Sequence, residues 1–198
     1  MAYKTRIGIV MALSKIQAES MNLADTFAFT GTVTGTLGWT ETASIGTLDS
    51  ATETITGLPS TITELYMVWD SVTHSSDTPD NWGIRLGTSG GIVTSGYKSS
   101  VNWIYDPNNV VGHVENTDYA IGRMGNWGSG SNWSGQFYFW NIASNTWVYN
   151  GIVRDSDGDY DVIEHWAGRV ALGGTLDRIS VSVSAGTING GTIKAYYK

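Results

Sequence analysis

The sequence predicts an all-β fold: an antiparallel β-sandwich or jelly roll preceded by a short N-terminal arm or helix. Three observations carry this expectation. Short runs of β-branched and aromatic residues alternate with period two. Clusters of Gly, Ser, Asn, Asp and Pro punctuate them, and no helical pattern separates one run from the next. With 25 glycines and no cysteine in 198 residues, the chain is turn-rich and must be held by packing rather than by disulfides.

Two pieces are expected, an arm over residues 1–25 and a sandwich over 26–198. In the arm, Ser14-Lys15-Ile16-Gln17 has the form of a capping box. A helix of two or three turns is expected to follow it to Ala24, too short to be stable unless docked. Lys4 and Arg6 ahead of the apolar patch Ile7–Leu13 imitate a signal peptide. The patch is short and lacks a small-x-small cleavage site, so a retained arm is expected.

Strands are expected at Thr26–Thr34, Ser50–Thr56, Glu64–Val72, Trp82–Leu86, Gly91–Tyr97, Val101–Tyr105, Val110–Val114, Val162–Leu172, Thr175–Val183 and Thr192–Tyr197. Gly87-Thr88-Ser89-Gly90 and Asp106-Pro107-Asn108-Asn109 read as turns between neighbouring strands, and Arg154–Tyr160 as a polar loop. The organising stretch is Gly135–Arg154, GQFYFWNIASNTWVYNGIVR. Alternation places Gln136, Tyr138, Trp140 and Ile142 on one face and Phe137, Phe139 and Asn141 on the other, with Ser144-Asn145 suited to a tight reversal. Because both faces carry large apolar groups, this hairpin is expected to be a central pair covered on both sides, with Trp69, Trp140 and Trp147 in the core.

Composition bounds the function classes. A net charge of −7 with scattered cations does not fit a nucleic-acid footprint. No apolar run approaches the ~18–20 residues of a membrane span, so membrane insertion is not expected. Charged residues are only 15%, and a surface of uncharged polar residues suits a particle-like or extracellular setting.

Several constellations offer chemistry. Gly87-Thr88-Ser89-Gly90-Gly91 looks like a serine-protease nucleophile loop with Thr88 replacing the acid, but a triad also needs an oriented histidine such as His74. Glu115, Asp118 and Glu164 are carboxylates that a glycosidase could use, although no local pattern pairs them. Asp155, Asp157, Asp159 and Asp161 alternate in one extended segment, and Ca²⁺ would take several such oxygens, though the EF-hand pattern is absent. Nine tryptophans are many, and Trp103, Trp127 and Trp133 each follow an asparagine. An indole beside an amide suits a sugar ring, and equally a subunit interface or local packing. No site assembles for catalysis, so a non-enzymatic protein is expected.

Three ordered stretches carry a resemblance: Leu13–Gly35 (LSKIQAESMNLADTFAFTGTVTG); Gly57–Ser60 with Leu65–Trp69 and Ile84–Ser99; and Trp133–Gly135 with Asn145–Trp147 and Leu176–Tyr197. Together they resemble a family of bacteriophage virion proteins, mostly tail-fibre or other surface structural proteins. The resemblance implies a β-sandwich on the virion surface, a homotrimer, and attachment to other virion proteins of tail or capsid through the N-terminus. Ile7, Val10, Leu13, Ile16 and Leu23 are the apolar side chains such an arm would offer. A tail fibre contacting a host glycan is the first expectation. Capsid decoration or a head fibre is the alternative, and a free carbohydrate-binding module a further one.

Overall fold

The structure, a computed structural model, describes residues 38–42, 45, 48–76, 81–105, 110–125, 130–156 and 161–198. The expected helix at residues 14–24 and the expected strand at 26–34 lie outside the described residues. The chain divides into two compact units, Met1–Gly35 and Thr36–Lys198, and the described strands all belong to the second.

This second unit is an all-β sandwich of two antiparallel sheets. In chain order the strands are β1 (Thr40–Glu41), β2 (Thr52–Thr56), β3 (Glu64–His74), β4 (Asn81–Thr88), β5 (Gly91–Ile92), β6 (Lys98–Tyr105), β7 (Val110–Asn116), β8 (Ile121–Gly125), β9 (Asn132–Ala143), β10 (Thr146–Ser156), β11 (Asp161–Ala171), β12 (Arg178–Val183) and β13 (Ile188–Tyr197). The large sheet runs β1-β13-β3-β9-β10-β11-β6-β7, and the small one β2-β12-β4-β5 with β8 also on β4. The expected strand at Gly91–Tyr97 is cut to two residues. The expected polar loop after Val153 is instead β10 continuing to Ser156, because Arg154, Asp155 and Ser156 pair in register with both neighbours.

Parity builds the core. Leu65, Met67 and Trp69 of β3, Phe137 and Phe139 of β9, Trp147, Tyr149 and Val153 of β10, and Trp166 and Val170 of β11 point inward and are buried. Trp82, Ile84 and Leu86 of β4, with Ile179 and Val181 of β12, meet them from the small sheet. The Trp69 and Trp82 rings bridge the two sheets at 5.2 Å between centroids. Rings are accommodated by glycines opposite them: Phe137 faces Gly151, and Tyr149 faces Gly168. A Cβ on Gly151 would collide with the Phe137 ring.

The outer surfaces of the two sheets differ sharply. On the small sheet, Thr52, Thr54 and Thr56 are exposed and pair with Ser182, the buried Ser180 and Arg178, a polar outer surface. On the large sheet the outward positions are aromatic and aliphatic. The β9–β10 hairpin is therefore central within its sheet but covered by the other sheet on its core face only. Among the described residues its outer face has no covering layer, which corrects the two-sided burial expected from its composition.

Candidate interaction surface

The outward face of the large sheet is built by the even-numbered residues of β3 up to Asp70, of β9, of β10 and of β13 from Thr192 on, and by odd-numbered ones of β11. The same alternation that buries Leu65 and Met67 turns Tyr66 out; Phe137 and Phe139 bury while Tyr138 and Trp140 emerge. These rings form a cross-strand ladder. Tyr66 and Tyr138 stack at 4.2 Å, Tyr138 and Trp140 at 5.5 Å, and Tyr196 and Trp39 flank Tyr66 at 6.2 and 6.0 Å. Tyr66 also donates its hydroxyl to Gln136 Oε1 at 3.0 Å. The Tyr66–Tyr138 and Tyr66–Tyr196 pairs join neighbouring strands and contribute roughly 0.2–1 kcal/mol each, whereas Tyr138 and Trp140 stack along one strand.

Beside the ladder lies an aliphatic patch. Ile152, Ile163 and Ile104, 37%, 41% and 46% exposed, adjoin across β10, β11 and β6, while Ile142, 61% exposed, lies apart at the hairpin end of β9. With Trp39 at 43% these are all the exposed large apolar side chains among the described residues, and every one falls on this face. Scattered exposed apolar residues need no explanation, whereas a contiguous patch marks an interaction site. A depression of about 460 Å³ lies within the face, lined by Gln136, Tyr138, Trp140, Asn150, Ile152 and His165.

Three ion pairs lie on or beside this face. Arg154 pairs with Asp161 at 2.7 Å, Lys194 with Glu41 at 3.3 Å, and Lys198 with Glu64 at 3.8 Å. Exposed pairs of this kind add little stability; their consequence here is local neutrality. Glu41 beside Lys194 also raises the lysine pKa above its ordinary value, by hydrogen bonding first and charge second.

Compared with family models, curated proteins and solved structures, the chain matches none.

The residues singled out from sequence are dispersed. Trp133 is fully buried, its ring 6.1 Å from that of Trp82, so it packs the core and offers no face to a sugar or a partner. Trp103 is partly buried and packs against the same core, while Trp127 lies outside the described residues. Trp69 and Trp147 are core residues as expected, but Trp140 is not: its parity puts it on the outer ladder. Ile7, Val10, Leu13, Ile16 and Leu23 also lie outside the described residues.

The four aspartates do not share one side. Asp155 is buried on the core face, whereas Asp161 is exposed on the outer face in its pair with Arg154. These two therefore cannot join one Ca²⁺ shell, and Asp157 and Asp159 lie outside the described residues. No group of three metal-ligating side chains occurs among the described residues. Glu164 is buried and accepts a hydrogen bond from Trp166 Nε1 at 3.1 Å, while Glu115 and Asp118 are exposed. The acids thus do not converge on one cleft. Ser89 and His74 flank opposite ends of β4, since His74 meets Trp82 at its start and Ser89 follows its last residue. Seven strand steps of ~3.3 Å separate those ends by roughly 20 Å, too far for a nucleophile and its base.

Sequence reasoning misses the outer residues Tyr66, Ile152, Ile163 and Tyr196 as functional candidates. Their signal is nonetheless present, because strands apolar on both faces announce two contacts, of which the second sheet supplies only one.

Proposed function

We propose that the chain is a non-enzymatic structural protein of the bacteriophage virion surface, a tail-fibre or host-adhesion component that acts by association. The sandwich body projects, and residues 1–25 fasten it to another virion protein. The observation that carries this reading is the aromatic and aliphatic face of the large sheet, uncovered among the described residues, a broad shallow surface suited to protein packing rather than an enclosed site suited to chemistry. The ordered sequence resemblance supplies the virion setting and the trimeric state. Capsid decoration uses the same parts and differs only in which component the arm meets.

The test is deletion of residues 1–20 in the phage. The truncated chain should fold but be absent from purified particles, and labelling the intact chain should place it at the tail. Retained incorporation of the truncated chain would refute the anchor, and label on the head would select the decoration alternative.

A further inference from the structure

We infer that the outward face of the large sheet is a self-association surface, seated on a second copy of this chain. The inference rests on the associative reading above, which already takes the chain as an oligomer, and names the face through which copies meet; its test uses the isolated protein. Three observations lead to it.

The first is charge. The chain carries −7 overall, so two copies repel unless they meet through a region free of that excess. Lys98, Arg154, Arg169, Lys194 and Lys198 on or bordering this face balance Glu41, Glu64, Asp70, Glu115 and Asp161. A face neutral to this degree is what a contact between like-charged molecules requires. A basic partner would be drawn instead to the acidic remainder.

The second is area. Six strands from β13 to β6, at ~4.8 Å spacing and roughly ten residues each, present a footprint on the order of 900 Å². A stable protein pair needs about 800 Å² on each partner. The third is ring geometry. A sugar stacks on a free aromatic face, but Tyr66 and Tyr138 cover one another at 4.2 Å and Tyr138 lies parallel to Trp140. What the ladder offers outward is edges, which suit packing against another apolar surface.

The experiment is sedimentation velocity of the purified full-length chain across nanomolar to micromolar concentrations, with Ile152→Arg and Asn150→Arg beside it. Asn150 is exposed and polar, so its substitution leaves the core intact; circular dichroism melts confirm that both variants fold. A concentration-dependent oligomer whose apparent dissociation constant rises at least tenfold in both variants is the expected result. A wild-type chain that stays monomeric overturns the inference. So does an oligomer that both variants leave unchanged. Co-purification with phage particles is scored separately and tests the virion reading alone.

Discussion

Tyr97 fills, with a side chain, the gap at Leu86 between the stretches of β4 paired with β8 and with β5. Its buried hydroxyl accepts a hydrogen bond from Leu86 N–H at 2.9 Å and lies 3.0 Å from the Val93 carbonyl, to which it donates. Tyr97→Phe leaves the Leu86 amide buried without its acceptor, which costs about 1–3 kcal/mol. A lowered urea midpoint with an unchanged m-value is expected, and an unchanged midpoint would count against this role. Burial also pushes the Tyr97 pKa up to about 12 and raises that of Tyr149, whose hydroxyl sits 2.7 Å from Ser99 Oγ. Both phenols are held neutral in the fold, whereas the unfolded phenols ionise near pH 10. Their contribution is thus complete below pH 10 and is lost as pH rises from there, by about 1.4 kcal/mol per pH unit for Tyr97 until about pH 12. Denaturation midpoints measured between pH 9 and 12 should fall, and fall less steeply in Tyr97→Phe.

The β9–β10 hairpin is the element on which sequence reading succeeds and also stops. Its two faces, its turn at Ser144-Asn145 and its central place in the sheet are all legible, because period-two alternation and turn chemistry are local. Ser144 and Asn145 take φ of 22° and 67°, the left-handed pair that a two-residue hairpin turn demands. Asn145→Val forces a β-branched residue into that region and should cost about 1–2 kcal/mol in a thermal or urea melt, while Asn145→Gly should cost nothing. The glycines offer a finer comparison. Gly151→Ala meets the Phe137 ring, which can tilt, so about 1–3 kcal/mol is expected. Gly135→Ala meets the Ile152 carbonyl and the Val153 backbone, which cannot tilt, so its loss should be the larger of the two. What the hairpin sequence does not convey is the identity of its cover. Alternation says that Tyr138, Trp140 and Ile152 share a face, but not whether a second layer of the same chain or another molecule lies over it. From sequence Trp140 therefore reads as core like Trp147, although one residue of parity separates their fates.

At the scale of the molecule, the sandwich is legible from strand spacing and the site is not, because a sequence exposes each candidate only through its nearest neighbours in the chain. Asp155 and Asp161 look alike in the chain yet end on opposite faces, since the register of β11 on β10 puts Asp161 opposite Ser156 rather than Asp155. The interaction surface, by contrast, exists only after five or six strands are laid side by side. Its neutrality against a total of −7 gives a further prediction that separates apolar contact from ion pairing. If copies meet through Ile152, Ile163 and the aromatic ladder, the electrostatic part of association is net repulsion between two acidic bodies. Raising ionic strength from about 0.05 to 0.5 M shortens the Debye length from above 10 Å to about 4 Å and screens that repulsion. Association should therefore tighten or hold constant with added salt, and tighten again as pH falls toward the sequence pI of about 4.7. Contacts made instead by opposite charges on the two copies would weaken over the same salt range. Equilibrium sedimentation at three salt concentrations distinguishes the two by the sign of the slope, and a dissociation constant that rises with salt would remove the neutral face from the account.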